Sequence, residues 1–370
     1  MFAGGGYNKY LFLCGFLVYS GSMILFIGLS FILSLISMPL IIKFCKRYSL
    51  YDSHNARKIH SGDIPRIGGV GIAFSFLVSA ILYLVFSDGV RDFSSVPVLV
   101  AGFIIFLFGL LDDILELPAV AKLMVQLVAV SIVTFSGYRF TQICGWRIPT
   151  VLSFVLTFGW ILGVINAYNL IDGLDGLCGS LSFSGFVTLG ILYMLAGSGE
   201  AGLCFILAAS VLGFLCFNWP PAKLFMGDDG SQFLGFMIAV APLYTTAPAL
   251  EYNKFLIMIL LTSFPVFDTI AAIWRRLRDR KPVMSPDRSH LHHKLLNMGY
   301  TKKTALYLIV FIQILICGVA VLSFYFKGKK GALLLAEAIV FMVIFFSVIH
   351  YTNRAVIKKN SADGNLPGQN

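Results

Sequence analysis

The chain predicts an all-α polytopic integral membrane protein of about ten to eleven transmembrane helices, N-terminus outside and C-terminus cytoplasmic. Three observations predict it. Of 370 residues, 58% are hydrophobic and 12% charged, well below the charged share of an ordinary soluble domain. Apolar runs of the length that crosses hydrocarbon, about 18 residues or more, recur from end to end. Between them, Lys and Arg crowd onto alternate connections, the bias that orients a multi-span chain.

The runs follow in order. The first covers 22–42, and the apolar stretch 10–21 before it lengthens or tilts that span. The second, 67–87, opens at Gly68-Gly69; the third, 97–111, stops at Asp112-Asp113. The fourth, 118–136, starts on Pro118, which suits a first helical turn because it has no N–H to leave unpaired. The fifth, 149–168, runs into Asn166-Ala-Tyr-Asn-Leu-Ile-Asp-Gly-Leu-Asp-Gly176, where Gly173 and Gly176 end the helix near Leu170. The sixth, 176–197, and the slightly short but fully apolar seventh, 201–217, are followed by Trp-Pro-Pro. The eighth, 231–249, begins after Asp228-Asp229, with Asp229 or Ser231 placed to cap it. The ninth, 255–274, closes on Arg275-Arg276; the tenth and eleventh, 304–326 and 332–351, flank a basic turn.

With an outside N-terminus, the inward segments hold 20 of the 28 Lys and Arg. Topology therefore accounts for the net charge of +10 without a polyanion, and no nucleic-acid partner is expected. The organisation is one transmembrane catalytic domain over 1–351 and a basic, disordered cytoplasmic tail over 352–370. No basic stretch precedes the first run, so no cleaved leader is expected. Seven cysteines without a CxxC pair, mostly inside apolar runs, read as small core residues.

A carboxylate beside hydrocarbon is expensive and marks a site unless it pairs or meets water. The inward connections gather Asp52, Arg57, Lys58, His60, Asp112, Asp113, Asn169, Asp172, Asp175, Asn218, Asp228, Asp229, Asp287, Arg288, His290, His292 and His293. This sorting predicts an active site on the cytoplasmic face. Asn166, Asn169, Asp172 and Asp175 recur every three residues, each step turning about 60° backwards on a helix, so the motif mixes a last helical turn with a loop. Amide and carboxylate oxygens there suit Mg²⁺, which takes one or two carboxylates and completes its shell with phosphates and water. The alternative is a plain capped turn. Asp112 and Asp113 point about 100° apart on a helix, so one acts on metal or proton and the other orients it. Asp228 precedes a helix N-terminus, and a bridging metal reconciles that acid with the anion-binding end.

The histidines His290, His292 and His293 beside Arg288 suit phosphate contact; zinc and a solvated loop are the alternatives. Arg57, Lys58 and His60, followed by Pro65-Arg66-Ile-Gly-Gly, suit a lipid phosphate or a polybasic membrane contact. Together these parts point to phosphoryl transfer between a soluble and a lipid-borne substrate.

Five stretches carry a resemblance covering Asp52 to Tyr300. They are Asp-x-x-x-x-Arg-Lys-x-His with Ile-Pro-Arg-x-Gly-Gly (52–69), Asp-Asp (112–113), Asn-x-x-Asn-x-x-Asp-Gly-Leu-Asp-Gly-Leu (166–177), Phe-Met-Gly-Asp-x-Gly-Ser (225–231) and His-x-His-His (290–293). In that order they resemble the polyprenyl-phosphate N-acetylhexosamine-1-phosphate transferases (glycosyltransferase family 4), in the WecA/TagO-like branch. The resemblance implies a Mg²⁺-dependent enzyme, Mn²⁺ being an alternative, of the bacterial cytoplasmic membrane. It implies transfer of GlcNAc-1-phosphate from UDP-GlcNAc to undecaprenyl phosphate, giving undecaprenyl-diphospho-GlcNAc and UMP and starting a cell-envelope polysaccharide. Another UDP-N-acetylhexosamine donor is the runner-up, and a homodimer is left open.

The resemblance also implies residue roles. Asp228 would be a metal ligand with Asp172 or Asp175 near it, and Asp112 would accept the lipid phosphate's proton beside Asp113. Lys122, Asn166, Asn169, Asn218 and His290 to His293 would contact nucleotide or phosphates. Asp229 departs from the family, which usually has a small residue there. Two other classes compete: an anion transporter, which needs acids at mid-membrane depth, and a non-catalytic lipid-phosphate-binding protein, which needs no acidic clusters.

Overall fold

The computed structural model describes residues 5–48, 64–87, 93–243, 247–282, 290–326 and 328–362, with side chains in the first stretch from residue 21 onward. Asp52, Arg57, Lys58, His60 and Arg288 lie outside the described residues. In chain order the helices are α1 (Gly5–Tyr48), α2 (Gly69–Phe86), α3 (Val96–Leu115), α4 (Ala119–Phe135), α5 (Thr150–Ile171), α6 (Leu177–Leu195) and α7 (Glu200–Asn218). They continue as α8 (Gly227–Val240), α9 (Pro248–Glu251), α10 (Lys254–Leu261), α11 (Ser263–Arg278), α12 (Leu291–Asn297), α13 (Lys302–Phe326) and α14 (Gly328–Ala362). Between α4 and α5 a two-residue hairpin pairs β1 (Gln142–Ile143) with β2 (Trp146–Arg147), antiparallel.

Each of the eleven apolar runs falls on a helix, yet not all of those helices are spans by length. Among the described residues, eight are long and apolar enough to cross a membrane: α1, α2, α3, α5, α6, α7, α13 and α14. The expected ninth span is instead two helices, α10 and α11, meeting at 74°. Pro265 supplies the physical reason: it has no N–H for the carbonyl four residues back, Leu261 O. Gln313 of α13 donates to that carbonyl at 3.1 Å, which satisfies the break in place. The fourth run is a 17-residue helix.

The eighth run is corrected more sharply. α8 has 14 residues, rising about 21 Å, too short to span hydrocarbon alone. Pro242 follows its end. Except at Asp228, α8 is buried along its whole length, packed chiefly against α3 and α5 with α2 and α6 beside it. Its far end is held by the Tyr193 hydroxyl on Ala241 O (2.7 Å) and the Trp160 indole on Ala239 O (3.2 Å).

Outside this central helix the packing follows membrane rules, with small and hydroxylated residues between helices and bulky apolar ones outward. Ser30 and Ser34 of α1 donate to Ile206 O and Ser210 O of α7, at 2.9 and 2.7 Å. Ile24, Leu25, Ile36 and Leu40 of α1, and Phe311, Ile314 and Leu315 of α13, are exposed. Such a surface would be an aggregation liability in water but matches lipid. Among the described residues six cysteines are free, four of them buried. α14 continues as helix to Ala362, so the segment from 352, expected to be disordered, begins as a helical extension. Its residues past Tyr351, such as Arg354 and Lys358, keep good helix propensity.

Candidate active site

The ends of seven elements meet at one end of the bundle. α2, α4, α6 and α8 begin there; α3, α5 and α7 finish there. The chain before α2 is pinned to the chain before α8 by backbone bonds: Phe225 N–H to Pro65 O (2.8 Å), Gly68 N–H to Phe225 O (2.9 Å) and Gly69 N–H to Met226 O (2.9 Å). α3 lies against α8 so closely that a Cβ on Gly109 would sit 2.6 Å from Asp229 Cα. That contact sets Asp112 and Asp113, one turn on, beside Asp228.

The charges there alternate. Lys122 at the start of α4 forms ion pairs with Asp112 of α3 and with Asp228 Oδ2 of α8, the latter at 3.1 Å. Arg66 reaches Asp228 Oδ1 through Nη2 (3.2 Å) and Asp113 Oδ1 through Nε (3.3 Å). Two cations thus link three carboxylates from two helices. Asp112 Oδ1 also accepts the Leu117 N–H at 2.9 Å. Asp113 Oδ2 accepts the Asp229 N–H at 3.0 Å, so an acid of α3 satisfies a free N–H in the first turn of α8.

That bond corrects the expected cap. The helix begins at Gly227, ahead of the expected start, and no side chain of its own caps it. Ser231 instead donates to Asn169 Oδ1 (3.0 Å), and Asp229 turns inward, fully buried, with Oδ1 on the Gly230 N–H (2.8 Å).

Asn169 donates to Asp228 Oδ2 at 3.4 Å, which joins the end of α5 to the cluster. Asp172 follows at the C-terminus of α5. Burial and the neighbouring Asp228 charge push its carboxyl up to about 7, against the pull of Arg66. None of the described residues makes a hydrogen bond or ion pair to its oxygens. Asp175 turns away, accepting the Ala222 N–H at 3.2 Å. Asn218 also turns from the cluster. Its Oδ1 accepts from Gly176 N–H and its Nδ2 donates to Leu224 O, both at 2.8 Å, so it staples the end of α7 to the start of α6.

The histidines follow at the start of α12. His292 packs on Gly173, where a Cβ would lie 2.7 Å from its ring. His290 and His292 stack within 6° of parallel, and the His293 ring centre is 4.2 Å from that of His292. Burial, reinforced by His293, pushes the His292 imidazole down to about 3, so it is a neutral ring rather than a phosphate cation at working pH. His290 Nδ1 lies 2.8 Å from Asp268 Oδ2 of α11, and Asp268 Oδ1 accepts the Leu291 N–H at 2.9 Å.

The sequence motifs do not single out Asp268, Gln126 or Gln232, and Arg66, expected at a lipid phosphate or in a polybasic membrane contact, pairs with Asp113 and Asp228. Asp268 did carry a signal: it is the one acid inside the run 255–274. Among the described residues no three acidic, cysteine or histidine side chains converge as a metal cage. Zinc finds no ligand set there. Mg²⁺ needs less, one or two carboxylates completed by phosphate oxygens and water. The oxygens of Asp228, with Asp172 near it and unpartnered among the described residues, fit that requirement.

The chain is similar to proteins of one described family. The family model described as Glycosyl transferase family 4 matches residues 95–246. Over 341 residues the chain is 34% identical to a Bacillus subtilis (strain 168) protein named "Probable undecaprenyl-phosphate N-acetylglucosaminyl 1-phosphate transferase", covering 87% of this chain and 90% of that one. It is 28% identical, over 85% of this chain and 86% of the relative, to the undecaprenyl-phosphate alpha-N-acetylglucosaminyl 1-phosphate transferase of Escherichia coli (strain K12). It is 31% identical, over 78% of this chain and 79% of the relative, to the decaprenyl-phosphate N-acetylglucosaminephosphotransferase of Mycolicibacterium smegmatis.

Proposed function

The chain belongs to glycosyl transferase family 4, and from that premise we propose that it transfers GlcNAc-1-phosphate from UDP-GlcNAc to undecaprenyl phosphate. The products are undecaprenyl-diphospho-GlcNAc and UMP, made at the cytoplasmic face of the bacterial inner membrane as the first step of a cell-envelope polysaccharide. The observation that carries this reading is the alternating cluster Asp112, Lys122, Asp228, Arg66 and Asp113 at the ends of apolar helices. Soluble and lipid-borne phosphates can both reach such a place.

In the net reaction a phosphate oxygen of the lipid, directly or by way of an Asp-bound intermediate, ends bonded to the phosphorus that bears the sugar. The bond from that phosphorus to the bridging oxygen breaks, and the oxygen leaves on UMP. Such chemistry asks mainly for positioning and charge neutralisation. Arg66 and Lys122 hold positive charge where two sets of phosphates must approach each other. Asp112 and Asp113 keep those cations in place, since each pairs with one of them. Asp172, without a partner among the described residues, is available to a cation or to the proton of the lipid phosphate. Mg²⁺, with Mn²⁺ as substitute, would be held by Asp228 and Asp172 and would supply neutralisation of the phosphate oxygens.

The test is UMP release by the purified full-length protein in detergent, with undecaprenyl phosphate, Mg²⁺ and a panel of UDP-N-acetyl sugars. Release with UDP-GlcNAc that needs both lipid and metal is expected. Release independent of lipid, or none with any donor from folded protein, overturns the reading.

A further inference from the structure

Three amides lie one helical turn deeper in the bundle than the charged cluster. Gln126 follows Lys122 on α4, Gln232 follows Asp228 on α8, and Asn166 precedes Asn169 on α5. Gln126 and Gln232 are buried. Asn166 Nδ2 donates to Leu162 O (2.8 Å) and to Gln126 Oε1 (3.0 Å). Gln126 Nε2 donates to Gln232 Oε1 (3.0 Å), and Gln232 Nε2 donates to Asp228 Oδ2 (3.4 Å).

The order of donors in this chain is forced at both ends. Leu162 O is a backbone carbonyl and only accepts, so the Asn166 NH₂ must face it. Gln126 is then left to accept through its oxygen and donate through its nitrogen, and Gln232 likewise. The last NH₂ meets a carboxylate, which when ionised also only accepts. A reversed Gln126 or Gln232 would set oxygen against oxygen in a buried setting, where an unpaired polar group is most costly.

We propose that Asn166, Gln126 and Gln232 form a directional amide ladder that sets the orientation of Asp228 and so its affinity for the divalent cation. Gln126 and Gln232 are positioning residues, since Gln232 touches Asp228 and Gln126 acts through Gln232. The inference rests on the reading above that Asp228 is a cation ligand. Hydrogen-bonded partners behind a ligating side chain typically change metal affinity about 10- to 100-fold when removed.

The experiment measures Mn²⁺ binding to the detergent-purified full-length protein, by loss of the free-ion EPR signal, without substrates. The variants are Gln232→Met, Gln126→Met and Gln126→Glu, with Asp228→Asn as reference. Gln232→Met should weaken binding about tenfold, and Gln126→Met in the same direction by less. Gln126→Glu keeps the shape but cannot donate, so Gln232 must turn its oxygen toward Asp228. It should therefore bind more weakly than Gln126→Met despite the closer fit. In turnover the apparent KM for Mg²⁺ should rise more than kcat falls. A ladder that only packs helices would lower Tm and leave Mn²⁺ affinity alone. Wild-type affinity in all three glutamine variants, with binding lost in Asp228→Asn, overturns the ladder and spares the cation reading. Wild-type binding in Asp228→Asn overturns both.

Discussion

Asp268 holds His290 with one carboxylate oxygen and the start of α12 with the other. Oδ2 lies 2.8 Å from His290 Nδ1, and Oδ1 accepts the Leu291 N–H at 2.9 Å. The acid sits on α11, past the bend at Thr262, and is buried. The bend therefore has a consequence at the site: it carries Asp268 to the only segment of the described histidine loop that begins a helix. An imidazole whose Nδ1 is held by a carboxylate is fixed in both tautomer and ring orientation, which leaves Nε2 as its outward atom.

Asp268→Asn tests this directly. Its oxygen can still accept from Leu291, but its NH₂ cannot accept from His290 Nδ1–H. Hydrogen bonds to charged groups are worth about 1.5–3 kcal/mol, so kcat/KM for UMP release should fall about tenfold or more while the protein still purifies folded. Asp268→Ala should lose Tm as well, because the Leu291 N–H is then also unpaired. Equal activity in wild type and Asp268→Asn would leave Asp268 as a helix clamp alone.

Lys122 supports a prediction in which binding and turnover separate. It stands between Asp112 and Asp228, and removing its charge leaves two acids facing each other with one compensating cation fewer. Like charges at that separation favour any cation that can enter. Lys122→Met should bind Mn²⁺ at least as tightly as wild type, yet turn over about a hundredfold more slowly, because in the proposed reaction Lys122 also neutralises substrate phosphates. A parallel fall in both quantities would mean that Lys122 mainly holds the fold of the cluster.

His292 makes the stability depend on pH with a definite sign. Its folded value is near 3, through burial first and the neighbouring His293 second, against an ordinary value of 6.5. Between those two values the unfolded chain binds a proton that the folded chain refuses, so stability falls as pH drops from about 6.5 toward 3. His292→Gln keeps a neutral polar ring substitute without that penalty. Its Tm should therefore decline less than that of wild type over this window, measured by thermal shift in detergent. Identical slopes would place the acid sensitivity elsewhere.

How far the sequence reveals this molecule depends on whether a signal is local. Apolar runs and the sorting of acids to their ends are local, and the runs fall on helices, the ninth on two. What a run cannot tell is whether lipid or other helices surround it. α8 opens an apolar run in the sequence but is sheathed by its neighbours, which only the packing of Gly109 and Gly230 against adjacent backbone makes plain. Hydrogen-bond partners are non-local in the same way. Asn166, Asn169 and Asn218 look alike in sequence, yet one begins a ladder, one meets Asp228 and one staples two helix ends. Asp268 and Pro265 did carry local signals, an acid and a proline within one apolar run, and together they account for the bend and for what it delivers to the site.

That bend supports a prediction in the form of a cycle. Pro265 leaves Leu261 O without its usual donor, and Gln313 supplies one at 3.1 Å. Gln313→Leu removes the donor and should lower stability by about 1–3 kcal/mol, the cost of a buried polar group left unpaired. Pro265→Ala restores a backbone N–H that can reach the same carbonyl. In the Gln313→Leu background it should recover part of the lost Tm, whereas in the wild-type background it should gain little, since the carbonyl is already satisfied. The two effects then fail to add, by an amount that measures the shared carbonyl. Strict additivity across the four proteins in detergent thermal unfolding would show that Gln313 stabilises α13 packing and not the break. Activity reads out the same cycle at a distance: if straightening of α10 and α11 accompanies Pro265→Ala, Asp268 moves away from His290, and turnover falls even where Tm rises.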